Sequence, residues 1–209
     1  MKKILLLLTT VAIVGCKKDS SPDVTTKPQN GNTNGHEWVD LGLSVKWATC
    51  NIGATSPEDY GDYYAWGETK TKDNFQADNC TSKNKDFKGS IAGTEFDAAT
   101  VNWGDGWHLP TRAEFEELMD KCTWTWTTKN DVNGFEVTAK NGNSIFLPAG
   151  GFYVGTQLYG GGKGGSYLTA EHESGFTQKS WFMEFSSKGP YFEELYRTSG
   201  RSVRPVAIK

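Results

Sequence analysis

The clearest periodic pattern in this chain predicts one amphipathic helix that begins after Pro110. Apolar side chains recur three and four positions apart between residues 115 and 122, as they do along one face of a helix. Residues 111–114 have the Thr-x-x-Glu order of a capping box, in which each side chain accepts a hydrogen bond from an unpaired backbone N–H group. We therefore predict a helix of about three turns with its apolar face on a core.

Short runs in which apolar and polar residues alternate predict that most other elements are strands. Residues 134–139 and 144–147 are two such runs, and Asn141-Gly142 lies between them. Asn-Gly is favoured in hairpin turns because both central positions of the turn need a positive φ. We predict a β-hairpin at this position.

Three further runs predict strands, and the loops between strands are rich in glycine. The runs are residues 43–47, 181–185 and 202–206. Pro205 has no backbone N–H to donate, so it places the last strand at a sheet edge or beside a bulge. Glycine occupies all but one position of residues 160–165, which predicts a flexible surface loop. Together the patterns predict an α+β domain of short twisted antiparallel sheets, one main amphipathic helix and long loops.

The first 16 residues carry a different pattern, a basic start followed by a short apolar run. Two lysines precede residues 4–14, which are apolar or Thr throughout and about half as long as a helix that spans a bilayer. This pattern fits a secretory signal. The run leads into Gly15-Cys16, which resembles the lipobox of bacterial lipoproteins. The resemblance implies that residues 1–15 are a signal peptide, and that Cys16 becomes the mature N-terminus and carries acyl chains such as palmitate. The alternative is an ordinary cleaved signal in which Cys16 is incidental.

Residues 16–35 predict a disordered tether between the lipid and a folded domain. Val24 is the one apolar side chain between positions 17 and 35, and such a segment cannot bury enough surface to offset its ordering entropy. All eight Trp and all eight Tyr fall within residues 36–209, and we predict that this stretch is one domain. The sequence thus predicts a protein anchored in the bacterial outer membrane through its N-terminal acyl chains, facing the periplasm or the cell surface.

The charge balance argues against a nucleic-acid partner. The whole chain has a formal charge of −3, and loss of Lys2 and Lys3 with the signal peptide changes it to −5. Nucleic-acid binding depends on a basic field that neutralises phosphates. We therefore expect no nucleic-acid partner.

Three cysteines remain once Cys16 is assigned to lipid. An exported protein can form disulfides, and Cys50, Cys80 and Cys122 allow one bridge with one thiol left over. The three pairings stay open, since spacing alone does not choose among them. Cys122 falls on the apolar face of the predicted helix, which also fits a simple buried thiol.

Acidic residues gather around two glycines near the start of the domain. Asp59, Asp62 and Glu68, together with Glu58, supply oxygen ligands of the kind that Ca²⁺ prefers. Calcium is thus the one candidate cofactor that the sequence offers, and otherwise we expect none.

Four segments together resemble a known family. They are residues 39–51, 62–68, 106–115 and 202–206, which read VDLGLSVKWATCN, DYYAWGE, GWHLPTRAEF and SVRPV. The series resembles the Fibrobacter-type major paralogous domain of Bacteroidetes lipoproteins. That family is similar to the C-type-lectin-like fold of formylglycine-generating enzymes and of retroelement-diversified binding proteins. The resemblance implies a C-type-lectin-like domain that serves as a platform for ligand recognition.

The residues that catalysis in such folds requires do not occur in the expected pattern. An enzyme of the formylglycine-generating or sulfoxide-synthase type would need either a reactive cysteine pair late in the domain or a histidine-carboxylate iron site, whereas here no cysteine follows Cys122. The three histidines, His36, His108 and His172, stand far apart in the sequence. We therefore predict a protein that binds without catalysis.

Aromatic residues in the glycine-rich second half are the candidate recognition surface. Aromatic rings give flat contact area at low entropic cost, which suits a glycan or a protein ligand. The candidate ligand-binding residues are Tyr153, Tyr159, Tyr167 and His172. Two alternatives remain, a structural or accessory subunit of a surface assembly and, with less support, a hydrolase that uses an unrecognised carboxylate pair.

Overall fold

The computed structural model describes residues 30–172 and 178–209. The predicted signal peptide, Cys16 and residues 17–29 of the predicted tether lie outside the described residues. The two helices among the described residues are α1 (Ala98–Trp103) and α2 (Arg112–Lys121). The strands are β1 (Asn30–Thr33), β2 (His36–Val39), β3 (Lys46–Ala48), β4 (Tyr63–Tyr64), β5 (Trp107–His108), β6 (Cys122–Lys129), β7 (Val132–Ala139), β8 (Ser144–Pro148), β9 (Phe152–Val154), β10 (Gln157–Tyr159), β11 (Gly164–His172), β12 (Lys179–Ser186), β13 (Gly189–Tyr196), β14 (Arg201–Ser202) and β15 (Val206–Ala207).

The strands form four sheets, and strand rather than helix makes up most of the regular structure. Two sheets have five strands each, in the orders β1-β2-β3-β15-β5 and β13-β12-β11-β14-β4. A three-stranded sheet has the order β6-β7-β8, and β9 pairs with β10. Neighbouring strands run antiparallel except for the short β11–β14 pair. This architecture is compatible with the predicted α+β class.

The predicted helix is confirmed as α2, with the predicted cap. The Thr111 side chain accepts a hydrogen bond from the Glu114 backbone N–H, and the Glu114 carboxylate accepts one from the Thr111 N–H. Phe115 and Leu118 are buried, and the Phe115 ring packs 5.1 Å from the ring of Trp47. The helix ends where Cys122 adopts an extended backbone and starts β6.

The predicted hairpin is confirmed as β7–β8, although its turn differs from the expected two-residue type. Gly142 has a positive φ of 86°, whereas Asn141 is not among the described residues with positive φ. Asn141 instead anchors the turn, because its side-chain amide donates to the Asp40 carbonyl at 2.9 Å. Turns with two consecutive positive φ angles occur at Asn34-Gly35 and at Asn130-Asp131.

The predicted strand over residues 202–206 is wrong, because the chain changes sheets there. β14 belongs to one five-stranded sheet and β15 to the other, and Arg204 lies between them with its side chain fully buried. The Arg204 guanidinium donates to the Asn51 side chain and to the carbonyls of Ala48, Thr49 and Phe146. The crossing thus joins three separate segments of the chain.

The predicted strand over residues 43–47 begins later than expected. Strand pairing starts at Lys46, although the preceding residues keep the predicted alternation and bury Leu43 and Val45 in the core. Here the Glu117 carboxylate of α2 accepts a hydrogen bond from the Ser44 N–H at 2.8 Å. A side chain therefore satisfies a backbone group that a neighbouring strand would otherwise pair.

Regular structure also begins earlier than the predicted domain boundary at residue 36. β1 pairs with β2 through the Asn34-Gly35 turn. The hairpin is held to the rest of the domain because the Trp107 indole N–H donates to the Thr33 carbonyl at 3.0 Å. Among the described residues, no helix is long and apolar enough to cross a bilayer.

Candidate functional site

A long irregular segment, residues 65–97, connects β4 to α1 and contributes to two surface clefts. It contains no helix or strand beyond a single bridge at Phe75. Loops of this length inside a compact domain are uncommon and usually functional. We call residues 65–97 the long loop.

The long loop is held to the sheets at a few buried points. The Trp66 indole, which is fully buried, donates to the Thr169 carbonyl of β11 at 2.8 Å, and Ser82 donates to the Trp66 carbonyl. Phe75 exchanges backbone hydrogen bonds with Gly155, next to β9, at 2.8 Å. The backbone between these points lies at the surface and is free to shape a cleft.

Asp97 holds the last turn of the long loop and caps α1. Its buried carboxylate accepts hydrogen bonds from the backbone N–H groups of Gly93, Ala99, Thr100 and Leu109, at 2.8–3.2 Å. Burial raises the pKa of Asp97, and the four N–H donors act in the opposite direction. One side chain thus joins the loop, the helix and the segment before α2.

A first cleft of about 370 Å³ lies between the long loop and the β9–β10 hairpin, and we call it the tyrosine cleft. Tyr153 forms one wall, with its ring edge-on to Tyr63 at 4.8 Å and tilted against Phe75 at 6.0 Å. The polar side chains that line the tyrosine cleft are Asp62, Thr71, Lys72, Asp73 and Thr156. Polar groups therefore surround one fixed aromatic ring.

A second cleft of about 380 Å³ shares the Thr71-Lys72 ridge with the first, and we call it the lysine cleft. Lys85 lies over the ring of Phe96, 4.0 Å from its centroid. Glu68 is engaged, because its carboxylate accepts hydrogen bonds from Thr81 and pairs with Lys72 at 2.6 Å. The two clefts therefore lie on either side of the ridge that Thr71 and Lys72 form.

The two carboxylates of the tyrosine cleft lack side-chain partners among the described residues. Asp62 and Asp73 take part in no side-chain hydrogen bond or ion pair there, in contrast to Glu68 on the far side of the ridge. Asp73 is exposed and Asp62 is half-buried. Burial, followed by the nearby Asp62 charge, raises the pKa of Tyr64 to about 12, so this phenol stays neutral. The cleft therefore presents two carboxylates able to accept hydrogen bonds from a ligand.

The structure separates the four aromatic residues predicted to bind a ligand. Tyr153 lines the tyrosine cleft, and Tyr159 is 43% exposed on β10, stacked on Phe152 at 5.9 Å. His172 lies half-buried at the end of β11, with its ring 5.9 Å from that of Trp66. These residues do not form one aromatic face.

The prediction that Tyr167 is an exposed ligand contact is wrong. Tyr167 is fully buried, and its hydroxyl donates to the Pro148 carbonyl at 2.9 Å. The neighbouring glycines suggested a loose surface loop, but Gly165 lies in β11 so close to Phe185 that an added Cβ would be 2.3 Å from the ring. Glycine serves close packing at this position.

The predicted calcium ligands do not come together. Asp59 accepts hydrogen bonds from Thr55 and Ser56, and the bonds from Thr55, followed by those from Ser56, lower its pKa despite some burial. Glu68 faces Lys72 and Thr81, and Asp62 faces the tyrosine cleft. Within the described ranges, no group of three or more His, Cys, Asp or Glu side chains could hold a metal ion.

None of the three predicted disulfide pairings is formed. Cys50, Cys80 and Cys122 are all free thiols, and Cys80 is buried. Burial, and to a lesser extent the charge of Glu117, raises the pKa of Cys122, so this thiol stays protonated at neutral pH.

A second acidic cluster lies at the start of α2 and is occupied by structural contacts. His108 is 3.0 Å from a Glu114 oxygen, and the Glu171 carboxylate accepts a hydrogen bond from the Arg112 N–H at 2.7 Å. Burial, opposed by that hydrogen bond, raises the pKa of Glu171. The cluster stabilises a helix N-terminus, since both carboxylates accept from N–H groups that have no partner within the helix.

The sequence patterns did not point to most of the cleft residues. Thr71, Lys72, Asp73 and Thr156 belong to no motif, and they meet because the Phe75–Gly155 bridge draws two distant loops together. The available signal was the length of sequence after residue 68 that has neither helical nor strand periodicity.

Comparison with known proteins gives one match. A family model described as a domain of unknown function, DUF8237, matches residues 115–206. No curated protein and no solved structure matches the chain. The matched part runs from α2 to β15, so this chain is similar to that family over most of its sheet framework, and the long loop lies outside the match.

Proposed function

We propose that this protein is a lipid-anchored binding module of the bacterial cell envelope that recognises a glycan at the tyrosine cleft without catalysis. The observation that carries the proposal is the pairing of a fixed aromatic ring, Tyr153, with two unengaged carboxylates, Asp62 and Asp73. Sugars offer apolar ring faces and hydroxyl donors, which an aromatic ring and carboxylates complement.

The size and lining of the cleft favour a glycan over a flat protein surface. About 370 Å³ lies at the lower end of the range of small-ligand sites, roughly 300–1,000 Å³. Threonine hydroxyls at Thr71 and Thr156 add further donors and acceptors beside the carboxylates. A small polar ligand with several hydroxyl groups would therefore satisfy most of the lining.

The lipid anchor and the finer fold assignment belong to the same proposal. The lipobox-like Gly15-Cys16 pair supports attachment of acyl chains at Cys16 and a place in the outer membrane. The mixed sheets, the capped α2 helix and the long loop support a C-type-lectin-like domain, the fold implied by the resemblance to the Fibrobacter-type domain. In such a domain a rigid framework would carry a variable loop that contacts the ligand.

A glycan array probed with the full chain in detergent tests the proposal. We expect saturable binding to one glycan class, and Asp62→Asn with Asp73→Asn should weaken it about 10- to 100-fold, since a hydrogen bond to a charged group contributes about 1.5–3 kcal/mol. Glu193→Gln is the matched control, because it removes one exposed carboxylate from β13. The absence of saturable binding to any glycan, or equal losses in the cleft and control variants, would refute the proposal.

A second candidate, an accessory subunit of a surface assembly, has support from β13. This eight-residue strand lies at the edge of its sheet and exposes 47% of Tyr191 and 59% of Tyr196. Edge strands can pair with a strand of another chain. Chemical crosslinking on whole cells would support this candidate if Tyr191→Lys abolished a defined crosslinked partner while leaving glycan binding unchanged.

A further inference from the structure

The outer face of the first sheet carries a compact group of tryptophans on the side away from the main core. Trp38 and Trp103 are half-buried and pack around the buried side chains of Ala48, Trp107 and Ala207. The His36 ring stacks on Trp103 with centroids 3.9 Å apart, and the Trp103 and Trp107 rings meet edge to face at 4.9 Å. The rings are therefore fixed in place.

One exposed aliphatic residue lies beside this group. Ile208, which follows β15, is 66% exposed. It lines a shallow cleft with Trp107, and its N–H donates to the Gly106 carbonyl. We call Trp38, Trp103 and Ile208 the tryptophan face.

The charges around the tryptophan face nearly cancel. Lys46 lies over the Trp38 ring at 4.0 Å, and Lys209 pairs with Asp40 at 3.3 Å. Asp105 lies in the same cleft as Ile208. With two cations and two carboxylates, attraction to a charged partner is weak, and the apolar and indole groups dominate the contact that this face can make.

The tryptophan face lies where the chain enters the domain. Trp38 covers Gly31 of β1 so closely that an added Cβ at Gly31 would be 2.3 Å from the indole ring. The first described residue, Asn30, is fourteen residues after Cys16. A coil of that length has an r.m.s. span of about 20 Å, which is less than the diameter of about 40 Å of a compact domain of this size.

We propose that the tryptophan face rests on the lipid bilayer to which Cys16 is anchored. This inference rests on the lipid anchor in the proposed function, because the short chain from Cys16 holds the β1 side of the domain close to the bilayer. Tryptophan favours the interface, where its ring lies among the acyl chains while its N–H remains near the head groups. Exposed Ile208 loses water contact in the same event.

Quenching of tryptophan fluorescence by brominated phospholipids tests the orientation. The lipidated full chain is reconstituted in vesicles of phosphatidylethanolamine and phosphatidylglycerol, with and without bromine on the acyl chains. We expect quenching in the brominated vesicles, and Trp103→Phe should reduce it. Trp181→Phe, on β12 away from this face, should leave the quenching unchanged. Because the contact is apolar, the quenching should persist in high salt.

A second pair of variants covers the case in which Trp103→Phe disturbs the packing around His36. Ile208→Asp changes only an exposed side chain and should reduce the quenching, whereas Tyr196→Asp, similarly exposed on β13, should have no effect. Quenching that is absent, or that is the same in the face and control variants, would overturn the orientation.

Flotation of the same vesicles separates this outcome from failure of the anchor. If the wild-type chain floats with the vesicles and Cys16→Ala does not, the anchor holds. The quenching then tests the orientation alone. Wild-type chain that fails to float and carries no fatty acid refutes the anchor, and with it this inference.

Discussion

The long loop and the β11–β13 sheet hold their backbone in different ways. In the sheet, the aromatic residues Tyr167, Phe182 and Phe185 are buried, and backbone groups pair along whole strands. In the long loop, a few buried anchors hold the backbone while Asp73 and Lys70 remain at the surface. Paired strands with buried rings thus form the framework, whereas exposed polar side chains on an irregular backbone line the candidate site.

The largest effect that we expect comes from breaking the buried ion pair of the sheet. Arg201 donates to Glu184 at 2.6 Å and also to Ser166, and its guanidinium lies 4.1 Å from the Phe182 ring centroid. Arg201→Met should lower the free energy of unfolding in urea by about 3–5 kcal/mol, because it leaves the Glu184 carboxylate buried without its partner.

The double variant Arg201→Met, Glu184→Gln is the control for that prediction. Burial already raises the pKa of Glu184, with Arg201 opposing the rise. Removing the carboxylate together with the guanidinium should therefore recover part of the loss. If the single and double variants were equally unstable, the uncompensated charge would not be the cause of the instability. Lost packing would then explain it.

We expect a smaller loss of unfolding free energy from a substitution at the end of the long loop. Asp97→Ala removes the acceptor of four backbone N–H groups and should cost about 2–3 kcal/mol of unfolding free energy. Asp86→Ala, in the same loop but exposed and paired with an exposed Lys88, should leave the free energy of unfolding nearly unchanged. Equal losses in urea denaturation would mean that the loop depends on its surface charges and not on this buried anchor.

The smallest effect on stability should appear as a dependence on pH. Burial acts to raise the pKa of Glu117, but hydrogen bonds from Lys121 and Ser44 outweigh it and lower the pKa to about 2. A depressed carboxyl pKa stabilises the fold above pH 4.5, and that stabilisation is lost as the pH falls towards 2. Glu117→Gln should remove about 1–2 kcal/mol of this acid sensitivity, a value reduced for partial exposure.

Denaturation curves at pH 6 and pH 3 measure that sensitivity. Glu116→Gln is the control, because Glu116 lies on the exposed face of α2 and its side chain is 50% exposed. We expect wild type and Glu116→Gln to lose stability in parallel between the two pH values. Parallel loss in Glu117→Gln as well would contradict the assignment of the pKa shift to this carboxyl.

Sequence predicted those elements whose signals are local. The capping box at Thr111 and the apolar spacing after it define α2 within one segment of chain, and the two runs beside Asn141-Gly142 define the β7–β8 hairpin. The predicted strand over residues 202–206 is wrong because the chain crosses between two sheets at Arg204. The buried partners of Arg204 lie far away in sequence. Periodicity reports which residues face a core but not which sheet they join.

The candidate site could be predicted even less completely. Tyr153 was predicted as a candidate residue, whereas Tyr167 was wrongly predicted to lie at the surface. Glycine permits either a mobile turn or close packing, and the sequence does not distinguish the two. Asp73 and Thr156 meet only through the Phe75–Gly155 bridge, a contact between residues 80 positions apart. Sites assembled from loops depend on such contacts, which no local pattern encodes.

Hydrogen–deuterium exchange on the full chain, with and without the glycan that gives the strongest array signal, tests the division between framework and site most directly. We expect slower exchange on binding in residues 67–75 and 153–156, with residues 179–196 unchanged. Slower exchange in the β12–β13 strands, with none in the long loop, would contradict it.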